Sequence, residues 1–179
     1  RRIAMENLTH AFPAGSPAER EAIVLGMFAH FGRLLLELIR FASLSNDELL
    51  ALVETEGEEH VLQAYAKGKG VLFFTGHFGY WEIGGIAHAL CWRPMAVIAR
   101  PLDNPRLHDL LERIRTRTGN TVIYRQGSVR KILRQLSDNR GVAILIDQHL
   151  QSADAAYVDF FGRPAATTNA LAAVARRTG

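Results

Sequence analysis

Four short apolar runs set the limits on what this chain can become. They are Val71–Thr75, Met95–Ala99, Thr121–Tyr124 and Val142–Ile146, and glycine bounds the first and the last. Runs of this length, rich in β-branched and aromatic residues, suit strands buried on both faces. Between them lie stretches of helical period: Glu82–Ala89, Asn104–Arg117 and Ser128–Ser137. Strands alternating with helices at this spacing predict an α/β fold with a mainly parallel sheet flanked by helices. In such sheets ligands bind beyond the carboxyl ends of the strands.

The first third has a different period. Ser16-Pro17-Ala18-Glu19 reads as a capping box with proline at the first helical position. Ile23, Val24, Met27, Phe28, Phe31, Leu34, Leu35 and Leu38 follow at three- and four-residue steps, as an amphipathic helix requires. Ser45–Glu48 opens another helix. Gly57 breaks it, and a short one follows to Gly68 and Gly70. Two regions are therefore expected: a helical segment over 1–67 packed on an α/β core over 68–179, with a last helix over Thr168–Arg176 after a loop that runs to Pro164. The core is expected to be cut short at its carboxyl end. Arg1 and the closing Arg176-Arg177-Thr178-Gly179 read as cuts inside a longer protein.

Composition narrows the function. Cys91 is the only cysteine, so an intramolecular disulfide and a cysteine-based zinc cage are excluded; its apolar neighbours predict buried filler. Only Lys67, Lys69 and Lys131 are lysines among 21 basic residues, and the rest are arginine, whose planar fork suits phosphate or carboxylate. The arginines are dispersed rather than interleaved with aromatics, which argues against a nucleic-acid surface. No run of 18 apolar residues occurs, so no transmembrane helix is expected within the chain.

The sharpest segment is Thr75–Glu82. His77 follows the first strand and so stands at the exposed rim of the sheet. Glu82, five residues later, falls in the first turn of the next helix. A turn at Gly79 can fold the two together. A carboxylate on one imidazole nitrogen fixes the tautomer and leaves the other nitrogen as a general base. A histidine that only caps a strand end is the competing reading, and a metal ligand a weaker one, since no second histidine lies at ligand spacing. His88, in an apolar helix, reads as packing.

These residues carry a family resemblance. His77-x4-Glu82 resembles the H-x4-D/E signature of glycerolipid and lysophospholipid acyltransferases. The longer string Gly76–Glu82, G-H-F-G-Y-W-E, resembles the bacterial lipid A biosynthesis acyltransferase branch. Three more segments agree. Ala99–Pro105 resembles that branch's Y-R-P-x-x-N-P, Ile146-Asp147-Gln148 its D-Q, and Phe160–Thr167 its F-F-G-x-x-A-x-T. The wider family's E-G-T-R segment is replaced by Ile146-Asp147-Gln148-His149, which favours the lipid A branch over phosphatidic-acid synthesis.

The resemblance implies transfer of a fatty acyl group from a thioester, on acyl carrier protein or coenzyme A, to a hydroxyl of a membrane glycolipid. No cofactor or metal is implied. It places the chain at the cytoplasmic face of the inner membrane, with the family's amino-terminal anchor helix expected to be missing. His77 is the implied base and Glu82 its partner. Arg100 and Arg115 are implied to engage phosphate or a developing oxyanion; Arg113 and Arg117 flank Arg115, and which one faces inward stays open. Asp147, at a strand end, could orient Arg115 or the acceptor hydroxyl, or cap a turn. Arg163 could clamp phosphate. Phe160 and Phe161 are expected in the core, and Thr167-Thr168 as a helix cap.

Other acceptors fit the same fold: phosphatidylinositol mannoside, ornithine lipid or lysophospholipid. A nucleotide- or sugar-binding module on a Rossmann-like sheet is a rival of another class, suggested by Gly76, Gly79 and Gly84-Gly85. No G-x-G-x-x-G or P-loop supports it. A non-catalytic membrane-docking relative would not need both His77 and Glu82.

Overall fold

A computed structural model describes residues 1–124, 127–152 and 155–178. Strands β1 (Val71–Thr75), β2 (Met95–Ile98), β3 (Thr121–Ile123) and β4 (Gly141–Leu145) form one sheet in the order β1-β4-β2-β3, every pair parallel. Helices α5 (Trp81–Cys91), α6 (Pro105–Thr116) and α7 (Ser128–Ser137) supply the crossovers, and α8 (Ala170–Thr178) follows. The α/β expectation therefore holds. The late strand β4 enters between β1 and β2. Its end rises directly beside the end of β1, and that juxtaposition builds the site.

Alternate residues of the strands pack on opposite faces. Ala96, Ile123, Val142 and Ile144 bury against Ile132 and Leu136 of α7 and Val174 of α8. A second cluster joins Phe41, Leu49, Ile86 and Ile114. It ties α2 (Pro17–Phe41) and α3 (Asn46–Leu50) to α5 and α6. The expected capping box at Ser16 is present and Ser45 forms a second one: the two serines accept from the backbone of Glu19 and Glu48, whose carboxylates return to the caps. Helices α1 (Arg2–Ala11) and α4 (Glu58–Ala66) complete the amino-terminal part.

The structure departs from the sequence reading in several places. The loop to Pro164 is a β-hairpin of β5 (Ala156–Phe160) and β6 (Arg163–Thr167), paired only with each other. Proline inside a strand hides such a signal, and Pro164 is tolerated because a two-stranded ribbon is all edge. The Thr167 hydroxyl donates to the Ile146 carbonyl at 2.5 Å, which roots the hairpin beside the end of β4. Of the two threonines expected to cap α8, Thr168 accepts from the Ala170 N–H at 3.2 Å at the start of the helix, while Thr167 is engaged with Ile146.

Phe160 and Phe161 are 65% and 53% exposed, not core. Cys91 is also exposed, because it ends α5 on the outer side. Finally, α2 is 25 residues long, and an 18-residue window within it has mean hydropathy 1.7, with only 6% of that window buried. By length and composition it is sufficient to cross a membrane. His30, Arg33 and Glu37 interrupt its apolar run, so no unbroken stretch of 18 apolar residues marks this helix in the sequence.

Candidate active site

The parallel register pairs Thr75 of β1 with Leu145 of β4. Two residues beyond each partner lie His77 and Asp147. The Ile146 N–H donates to the Thr75 carbonyl at 3.0 Å and extends the pairing by one step. Beyond it, the Asp147 carboxylate takes over the role of a backbone acceptor. Its Oδ2 accepts from the His77 backbone N–H at 2.6 Å, and its Oδ1 lies 2.8 Å from the imidazole Nδ1. Gly76 makes this approach possible, since a Cβ there would stand 3.0 Å from Asp147 Oδ2.

A carboxylate at Nδ1 holds the proton on that nitrogen and leaves the Nε2 lone pair free. Partial burial pushes the Asp147 carboxyl upward, but the hydrogen bonds from the His77 ring and backbone outweigh it and hold the group below its ordinary value. Asp147 is thus an anion at neutral pH. The Trp81 ring stands edge-on to the imidazole at 5.0 Å, and Gln148 Nε2 lies 3.4 Å from Nε2.

Glu82 is not the partner of His77. Gly79 does take a left-handed φ of 55°, but the turn leads Glu82 to a stronger competitor. Arg115 donates through Nε to Glu82 Oε2 at 2.8 Å and through an Nη to Oε1 at 2.5 Å. This bidentate pair, with side chains 18% and 17% exposed, joins α6 to α5. Trp81 Nε1 also donates to Glu82 at 3.2 Å. The imidazole therefore takes its carboxylate from β4, where the register places one within reach.

Arg115 is delivered by a well-set helix. Asn104 caps α6, accepting from the Arg106 and Leu107 N–H groups at 3.0 and 3.2 Å, with Pro105 at the first position. Of the three candidate arginines, Arg115 faces inward. Arg113 is exposed, and Arg117 donates to the carbonyls of Phe41 and Leu44. Asp147, one expected orienter of Arg115, holds His77 instead.

His77, Trp81, Glu82, Arg100, Arg115 and Gln148 line one cleft of about 780 Å³. Arg100 is at its rim, 3.6 Å from Asp103. Arg163 is exposed on the hairpin and does not line the cleft. Trp81, Glu82, Ile98, Ala99, Arg115 and Leu145 also line an adjoining space of about 390 Å³ between the sheet and α5. Its walls are mostly apolar: Phe73, Val97, Ala143, Met95 and the backbone of Gly84-Gly85, with His88 among them. His88 is packing, as expected, 7% exposed with Nε2 3.1 Å from the Tyr65 hydroxyl. Desolvation pushes its pKa down to about 4, so it is neutral at pH 7. Among the described residues no group of three or more His, Cys, Asp or Glu is arranged to hold a metal ion.

Three residues of the site escaped the sequence reading. Gln148 and Trp81 touch the imidazole or its neighbour, and each adjoins a residue already singled out. Asn120 is buried at 4% exposure. It accepts from the Met95 N–H and donates to the Gly85 carbonyl, both at 2.8 Å, and so fixes α5 against β2. An asparagine before a strand gives no sequence signal for that.

With the geometry in place, comparison with known proteins is informative. The family model for bacterial lipid A biosynthesis acyltransferases matches residues 1–179. A lipid A biosynthesis acyltransferase of Haemophilus influenzae is 28% identical over 97% of this chain and 54% of its own length. A lipid A biosynthesis palmitoleoyltransferase of Escherichia coli K12 is 28% identical over 99% of this chain and 58% of its own. A phosphatidylinositol mannoside acyltransferase of Mycolicibacterium smegmatis is 23% identical over 93% of this chain and 55% of its own. The chain thus spans somewhat over half the length of these relatives. The match along its full length establishes that the chain belongs to the bacterial lipid A biosynthesis acyltransferase family.

Proposed function

We propose that this chain forms the core of an enzyme that moves a fatty acyl group from a thioester, on acyl carrier protein or coenzyme A, to a hydroxyl of a membrane glycolipid. A lipid A precursor is the acceptor that the relatives' names favour. The observation that carries the reading is an imidazole with Nδ1 held by Asp147, set in a cleft that continues into an apolar space able to take a fatty chain.

In this reading His77 Nε2 removes the proton from the acceptor hydroxyl as its oxygen attacks the thioester carbonyl. The C–O bond forms, the C–S bond breaks, and the proton passes to the departing thiolate. Asp147 stabilises the transient imidazolium. Glu82 acts as a positioning residue. It uses two of the five guanidinium N–H donors of Arg115, which leaves the others for the carbonyl oxygen as it becomes an oxyanion. Arg100 at the rim suits a phosphate of the acceptor, and Arg163 would meet a headgroup outside the cleft. The exposed apolar face of α2 sets the cleft against the membrane, the cytoplasmic face of the inner membrane being where acyl thioesters are available.

The test is acyl transfer by the full-length protein from labelled acyl carrier protein and acyl-coenzyme A to a panel of lipid A precursor, phosphatidylinositol mannoside, ornithine lipid and lysophospholipid. Labelled lipid A precursor is expected. Label on another lipid reassigns the acceptor. Failure to transfer to any lipid, with nucleotide binding seen by calorimetry, overturns the reading in favour of a nucleotide- or sugar-binding module.

A further inference from the structure

The β5–β6 hairpin exposes apolar and aromatic residues along β5, ending in a phenylalanine pair at its tip. Tyr157, Val158, Phe160 and Phe161 are all largely exposed, and the Phe160 and Phe161 rings contact each other edge-on at 4.8 Å. Phe12, which follows α1 and precedes α2 by a short turn, packs its exposed ring on Phe161 at 5.5 Å. The hairpin tip therefore adjoins the start of α2. That helix carries Ile23, Leu25, Phe28, Phe31, Leu35, Leu36 and Ile39 exposed along its length. Phe31 lines the His77 cleft, and at 1.5 Å per residue it lies roughly 21 Å along the helix from Pro17. Apolar surface thus extends from the hairpin tip along α2 to the mouth of the cleft, a contiguous patch of the kind that marks a membrane or protein contact.

A second observation is independent of exposure. The tip turns through Phe161 at φ 53° and Gly162 at φ 73°. Such a turn ordinarily places asparagine or aspartate at the first of these positions, because a bulky side chain is strained in the left-handed region. Phe161 is held in that strained conformation although about half of it stays in water and its ring packs on two other exposed rings, Phe160 and Phe12. Strain kept for so little internal packing points to a role outside the fold. Arg163 stands directly opposite Phe160 in the ladder, is exposed, and has no acidic partner among the described residues. A phenylalanine pair with tyrosine further along the same strand and an exposed arginine opposite matches the chemistry of a bilayer interface, where aromatic rings sit at headgroup depth and arginine meets lipid phosphate.

We propose that the tip of the β5–β6 hairpin, with Phe12, is a second membrane foot that inserts into an anionic phospholipid leaflet beside α2. This goes beyond the acyl-transfer reaction and does not need it. The test uses full-length protein with Cys91→Ser as background and single cysteines at Phe161, at Leu36 of α2 and at Leu62 of α4, each carrying an environment-sensitive fluorophore. Vesicles contain phosphatidylethanolamine with phosphatidylglycerol. The label at Phe161 is expected to brighten at least twofold and to be quenched by lipids spin-labelled near the headgroup, while that at Leu62 is unchanged. Arg163→Gln is expected to weaken binding to anionic vesicles roughly fivefold and to leave binding to neutral vesicles alone. A label at Leu36 that is quenched while the one at Phe161 stays in water overturns the proposal and spares α2. A Phe161 label already shielded without vesicles means that another part of the polypeptide covers the tip, and also overturns it.

Discussion

Replacing Asp147 by asparagine separates the two carboxylates most cleanly. Asp147 accepts two hydrogen bonds from His77, one from the backbone N–H at 2.6 Å and one at Nδ1 at 2.8 Å. An amide has a single acceptor oxygen. The backbone N–H cannot change its tautomer, so the oxygen stays with it and the amide N–H₂ turns to Nδ1. The imidazole must then carry its proton on Nε2, where it no longer acts as a base. In a buried serine-protease triad the equivalent aspartate-to-asparagine change costs about 10⁴ in turnover. Here the Asp147 side chain is 43% exposed, so water can relieve part of the mismatch. A charge-assisted hydrogen bond is worth about 1.5–3 kcal/mol, or roughly 10- to 100-fold in rate. The expectation is a loss near the upper end of that range in single-turnover acyl transfer, with the melting temperature little changed. Near wild-type turnover for Asp147→Asn would refute this reasoning; loss in Glu82→Gln is expected in either case, because that carboxylate holds Arg115.

Other consequences follow from the same geometry. Gly76→Ala places a Cβ 3.0 Å from Asp147 Oδ2 and must push that carboxylate a few tenths of an ångström from the imidazole, at about 1 kcal/mol; turnover is expected to fall about fivefold while the melting curve barely moves. Arg115→Lys keeps the charge but loses the fork, so kcat is expected to drop by at least about tenfold, with substrate affinity measured in the same titration. The folded state depresses the pKa of His88 from 6.5 to about 4. Between those values the unfolded chain holds a proton that the folded chain rejects. Stability should therefore fall as pH drops through that window, by on the order of 3 kcal/mol at most in denaturant titrations, and His88→Gln should flatten the slope.

The sheet was legible because its strands are buried on both faces and leave unbroken apolar runs. Helix starts were legible because Ser16, Ser45 and Asn104 announce them chemically. The hairpin was not, since Val158 and Phe160 face water and Pro164 interrupts the pattern. His77 could be placed at the sheet rim from sequence, but its partner could not. Spacing along the chain favoured Glu82, whereas the β1–β4 register, which brings positions 70 residues apart side by side, favours Asp147. Arg115 was legible by resemblance; that it captures Glu82 depends on the packing of α6 on α5, which no local pattern reports.

The central claim is that the His77 imidazole removes the acceptor's proton. It is tested most directly by single-turnover transfer from a labelled acyl thioester, comparing the wild type with His77→Ala at saturating lipid. A fall of roughly 100- to 10,000-fold, with thioester binding retained, is the predicted result. Unchanged turnover in the alanine variant would contradict it.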